Sequence, residues 1–180
     1  APVLAERSYP LVVDPVAVSQ SGCPLLEETA VRALKEHILP GCELVTPNIP
    51  EAEMLTGGSI TSLDDQAACG QAILDLGPRA VLVKGVHRLD PDSVTDCLCE
   101  RGKDPVFLPN RKVETQNNHG TGCTLSAAIA TGLGQGLPLI DAVRRAQNYL
   151  NRALRESYAP GKGCGPVNHA AGLSHAEFRE

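Results

Sequence analysis

Three short apolar runs in this chain each stop on a residue that carries chemistry. Leu11-Val12-Val13 stops at Asp14-Pro15, Leu44-Val45-Thr46 at Pro47-Asn48, and Ala80-Val81-Leu82-Val83 at Lys84-Gly85. Runs of this length, rich in β-branched residues, suit strands buried on both faces. Helical patterns lie between them. Val31, Leu34 and Ile38 share one face ahead of a stop at Pro40-Gly41. Asn48-Ile49-Pro50-Glu51 opens a short helix, and Ser62-Leu63-Asp64-Asp65 opens another that runs to Gly77-Pro78. Strands alternating with helices predict an α/β fold with a largely parallel sheet. In such sheets the ligand crevice lies beyond the carboxyl ends of the strands. Asp14, Thr46-Pro47-Asn48 and Lys84-Gly85 stand there.

Two further strands are expected around Val94 to Leu98 and Val106 to Leu108. Cys123 to Ala130 reads as a helix of small residues. In the last helix Leu139, Val143, Ala146, Leu150 and Ala153 mark one face, and Arg144, Arg145, Arg152 and Arg155 lie off it as a solvated surface. The 180 residues suit one domain. A net charge of −5, 3% aromatic residues and no Trp leave out the basic, stacking surface of nucleic-acid binders. No apolar run approaches the roughly 20 residues of a membrane span. The seven cysteines are odd in number and scattered, which reads as free thiols in a reducing cytoplasm. Cys97-Leu98-Cys99 reads as packing residues in a strand.

The strongest local signal is Asn118-His119-Gly120-Thr121-Gly122-Cys123 leading into a helix. Glycines let the backbone turn tightly, and the first helical turn offers unpaired N–H groups at the positive end of the dipole. That combination reads as an anion site, naturally one for phosphate, or equally as a loop-to-helix junction whose glycines serve geometry only. No Walker A pattern occurs. A thiol at the position of Cys123 is expected to have its pKa lowered and could serve as a general base toward a hydroxyl, the alternative being a buried, inert cysteine. His119 reads equally as a second acid or base or as a loop residue. Asn48 followed by Glu51 reads first as a capping box. Asp14 and Glu51, each after a short strand, would hold Mg²⁺ through water, and Lys84 would neutralise phosphate.

These motifs resemble the hydroxymethylpyrimidine and phosphomethylpyrimidine kinases of thiamine biosynthesis, within the ribokinase-like superfamily. The resemblance is carried by Val12-Val13-Asp14-Pro15-Val16 with Ser21-Gly22, Thr46 to Glu53, Val83-Lys84-Gly85 with His87, His119 to Ile129, and Gly165 to His169. It runs from about Leu11 to His169. It implies a three-layer α/β/α fold with a mostly parallel central sheet, of which this chain would be the C-terminal portion. It also implies transfer of the γ-phosphoryl group of ATP to the hydroxymethyl group of a pyrimidine, and then to its monophosphate. Carried over by position, Cys123 is the base, and the N–H groups of Gly120, Thr121 and Gly122 to Cys123 stabilise the transferring phosphoryl. Asp14 and Glu51 organise Mg²⁺, while Lys84, Asn48, Thr115 and His119 contact the nucleotide. Glu51 would then both cap its helix and serve the metal's water shell. A homodimer is the expected state of the full-length protein.

There are departures from the family's pattern. Ala17 stands where Met is usual, Cys23 where Asp is, Val86 where a second Gly is common, and Asn118 where Thr usually precedes His119. The family's first βα units have no counterpart here, so the isolated chain is expected to be inactive or nearly so. A kinase acting on pyridoxal, or a non-catalytic nucleotide-binding module, are the alternative readings.

Overall fold

The structure, a computed structural model, describes residues 8–17, 25–85 and 93–172. Ser21-Gly22, Cys23, Val86 and His87 lie outside the described residues. The chain forms two compact units, residues 1–112 and 113–180.

The first unit is built on a five-stranded sheet in the order β1 (Val12–Val13), β2 (Leu44–Val45), β3 (Ala80–Val83), β4 (Ser93–Glu100), β5 (Val106–Arg111). β1, β2 and β3 pair in parallel, with Val12 opposite Leu44 and Leu44 opposite Ala80. The β3–β4 and β4–β5 pairs are antiparallel. Only β4 therefore points the other way, which meets the expectation of a mostly parallel sheet. The reversal follows from spacing. Residues 84–92 between β3 and β4 are fewer than the dozen or so that a parallel crossover needs. β5 runs past Leu108 through Pro109, which is tolerated because β5 is the edge strand.

Helix α1 (Glu28–His37) lies between β1 and β2 in sequence, and α2 (Ile49–Thr56) and α3 (Leu63–Leu74) between β2 and β3. Strand alternation puts Val81, Val83, Cys97 and Cys99 on one face. There they form a core with Val45, with Ile49, Ala52 and Leu55 of α2, and with Cys69, Ile73 and Leu74 of α3. Leu44, Leu82 and Leu98 on the other face are buried as well. Cys97 and Cys99 are packing residues, as expected, with their sulfurs 3.7 Å apart.

The second unit contains α4 (Thr121–Gly134) and α5 (Leu139–Arg155). Val143, Ala146 and Ala153 are buried, with Ala142 and Gln147 beside them, and Leu150 packs partly buried. Arg144, Arg145, Arg152 and Arg155 face solvent, as expected. No described helix is long and apolar enough to cross a membrane.

Candidate functional site

The carboxyl ends of β1, β2 and β3 bring together the residues expected there. Lys84 follows β3 and Asp14 follows β1, with β2 between them. Adjacent strands lie roughly 4.8 Å apart, so only a long side chain spans two of them. Lys84 does so, and its Nζ lies 2.9 Å from Asp14 Oδ1 with both side chains 15% exposed. Thr46, from the intervening strand end, donates its hydroxyl to the same oxygen at 3.3 Å.

Asn48 and Glu51 form the capping box of α2. Asn48 Oδ1 accepts from the Glu51 N–H at 2.9 Å, and Glu51 Oε2 accepts from the Asn48 N–H at 2.8 Å. Glu51 is nevertheless nearly inaccessible, at 2% exposure. Burial pushes its carboxyl above the ordinary range. The Asn48 N–H, the Lys84 charge and the Ala17 N–H pull it back, and Asp14 adds to the rise. Glu51 thus shares one electrostatic environment with Asp14 and Lys84. A capping carboxylate normally faces water, whereas that of Glu51 is withdrawn from it.

Both carboxylates are already engaged, Asp14 by an ammonium and a hydroxyl, Glu51 by backbone N–H groups. Among the described residues no three His, Cys, Asp or Glu side chains gather into a metal cage. Two adjacent carboxylates without a cage suit Mg²⁺ held through water and nucleotide phosphates.

The second unit contains the glycine turn into α4, read from the sequence as an anion site. Gly120 caps α4 with φ +83°, a conformation that glycine adopts without strain. Its carbonyl accepts from the Thr124 N–H at 2.9 Å and from the Thr124 hydroxyl at 2.7 Å. Cys123 is exposed on the first turn. Beside it a cleft of about 920 Å³ opens between α4 and α5. His119, Gly120 and Cys123 stand at one side, Ala127, Ala128 and Ala146 form an apolar wall, and Tyr149 and His169 also line it.

The segment before the turn is tied down from the C-terminal side. His119 N–H donates to Gly165 O at 3.1 Å, Val167 N–H to His119 O at 3.4 Å, and Cys164 Sγ to Asn118 Oδ1 at 3.0 Å. The Gly161 to Pro166 loop is therefore anchored at its C-terminal end. Thr115 organises the same segment: its hydroxyl accepts from the Asn117 N–H at 3.1 Å and meets Ser157 Oγ at 3.2 Å.

Sequence reasoning placed Thr46 among the strand ends of the crevice but passed over Asp96. Asp96 sits 5% exposed in β4, with its Oδ1 accepting from the Gly85 N–H at 2.6 Å. The signal for it was present, because Asp is depleted from strand interiors.

The proteins to which this chain is similar include kinases. A bifunctional thiamine biosynthesis protein of Geobacter sulfurreducens is 46% identical over 91% of this chain and 33% of its own length. The hydroxymethylpyrimidine/phosphomethylpyrimidine kinase of Rhizobium meliloti is 48% identical over 88% of this chain and 60% of its own. This chain thus spans a third to three fifths of these two relatives. Among solved structures, the Staphylococcus aureus pyridoxal kinase in complex with AMP-PCP superposes with a TM-score of 0.84 at 31% identity, over 94% of this chain and 61% of that one. A Clostridium difficile phosphomethylpyrimidine kinase gives 0.66 at 39% identity, over 81% and 57%. These neighbours bear out the ribokinase-like α/β class. The family profile described as phosphomethylpyrimidine kinase matches residues 1–168, and the chain belongs to that family.

Proposed function

We propose that this chain is the part of an ATP-dependent hydroxymethylpyrimidine/phosphomethylpyrimidine kinase that handles the nucleotide and the transferring phosphoryl group. The carrying observation is Cys123 on the first turn of α4, a helix that starts directly after Gly120 in the left-handed conformation. The N–H groups of Thr121, Gly122 and Cys123 have no partner one turn earlier in the helix, so they are available to an anion. They would hold the γ-phosphoryl as charge develops on it. Cys123 would take the proton of the substrate hydroxyl as its oxygen bonds to phosphorus and the bond to the β-phosphate bridging oxygen breaks, releasing ADP. The cleft beside the turn offers room for a bound small molecule.

In the first unit Lys84 would exchange part of its bond to Asp14 for nucleotide phosphate. Asp14 and Glu51 would hold the water shell of Mg²⁺, whose role is to neutralise phosphate charge. Asn48, Thr115 and His119 serve this reading by shaping the backbone around these groups. The six described cysteines are free thiols, which supports a reducing cytoplasm. The homodimer rests on the family resemblance alone.

A pyridoxal kinase is the second reading, favoured by the superposition on that enzyme. A coupled ADP-release assay on the full-length protein, with the hydroxymethylpyrimidine and with pyridoxal, separates the two. Turnover of the pyrimidine that collapses in Cys123→Ala supports the first reading. Full pyrimidine turnover in that variant removes Cys123 as the base, and turnover of pyridoxal alone replaces the substrate.

A further inference from the structure

β3 and β4 stop pairing at Val83 opposite Cys97. Beyond that point side chains hold the two strands. Gln66 of α3 is fully buried, and its Nε2 donates to Val83 O and to Thr95 O, each at 3.0 Å. Asp96 accepts the Gly85 N–H at 2.6 Å. From the β2 side, Pro47 O accepts the Lys84 N–H at 2.8 Å. The backbone around Lys84 is thus gripped on one peptide by β2 and on the next by a buried carboxylate.

A carboxylate taken out of water is costly unless it is well bonded, and a charge-assisted bond is about twice as strong as a neutral one. Such a bond is suited to fixing a peptide plane. The peptide it fixes joins Lys84 to Gly85, and the orientation of that peptide sets the direction in which the Lys84 stem leaves the sheet. Lys84 must cross the end of β2 to reach Asp14, so a small rotation at its root becomes a large displacement at Nζ.

We propose that Asp96 is a positioning residue, which aims Lys84 across the strand ends by holding the Gly85 peptide. The consequence for ATP rests on the reading that Lys84 meets nucleotide phosphate.

The test measures Mg-ATP affinity by calorimetry on the full chain, together with the ¹⁵N shift of the Lys84 ammonium. Lys84→Ala is expected to weaken binding about tenfold, and Asp96→Ala nearly as much. Asp96→Asn keeps an oxygen acceptor of the same shape and stays within about twofold of the parent. Asp96→Ala on top of Lys84→Ala adds no further loss. The ammonium shift in Asp96→Ala moves to its value in Asp14→Ala, where the lysine has no carboxylate. If Asp96→Ala does not fold, Asp96→Glu takes its place with the same expectations, since its extra methylene moves the acceptor off the Gly85 N–H. An ammonium shift unchanged by these substitutions overturns the proposal, as does a loss in Asp96→Asn equal to that in Asp96→Ala, or a full additional loss in the double variant. Parent-like affinity in Lys84→Ala overturns the phosphate reading instead, and the ammonium shift then decides the role of Asp96 by itself.

Discussion

Lys84 Nζ lies 2.9 Å from Asp14 Oδ1, although 70 residues separate them and β2 runs between their strands. The pair is mostly shielded from water, so removing one partner leaves a poorly solvated charge. Asp14→Ala should cost about 1–3 kcal/mol of stability. Lys84→Met should cost less, because its methylene stem still packs. The double variant should be more stable than the sum of the single losses implies. Urea denaturation of the four proteins checks this.

Glu51 should make stability depend on pH in an unusual direction. Burial holds its carboxyl above the ordinary 4.5, so the folded state retains a proton that the unfolded chain releases. The stability this contributes is fully present below the unfolded value and is lost as pH rises through the raised folded value. Glu51→Gln keeps an oxygen for the Asn48 N–H and removes the titration. Its stability relative to the parent should therefore increase as pH rises from about 4.5 upward. Denaturant melts of both proteins across this range measure it, and a flat difference contradicts the assignment.

Gly165→Ala should loosen the turn into α4. A Cβ there would overlap Asn117 Oδ1 and come within 2.8 Å of Tyr158 O. Backbone must shift, at a cost of about 1–3 kcal/mol. The displaced segment is the one whose carbonyl receives the His119 N–H. Thermal melts should show the destabilisation, and amide exchange should quicken at His119.

Native thiol labelling should divide the described cysteines into two sets. Cys123 and Cys164 are exposed and should react with iodoacetamide, whereas Cys42, Cys69, Cys97 and Cys99 are buried and should react only in denaturant. Burial also pushes the Cys69 thiol up, away from the reactive thiolate. Mg-ATP should slow labelling of Cys123 if phosphate occupies its helix end. Peptide mass spectrometry reads both outcomes.

Much of the first unit was legible because its signals are local. The short buried runs, the Asn48–Glu51 box and the stops at Pro40 and Gly77 act within a few residues, and each became a strand, a cap or a helix end. The turn into α4 was legible for the same reason, since Gly120 has no Cβ to oppose its positive φ. The reversed direction of β4 was implicit in the short stretch before it, but a reading of strand and helix order passed over it.

The sequence alone determined which residues stand at strand ends and helix starts, because backbone stereochemistry and apolar patterning are properties of neighbours in the chain. Only the tertiary structure decided that Lys84 meets Asp14, that Glu51 is buried while it caps, and that Asp96 grips Gly85. These relations depend on strand order and on the withdrawal of water, and both arise only when distant segments pack.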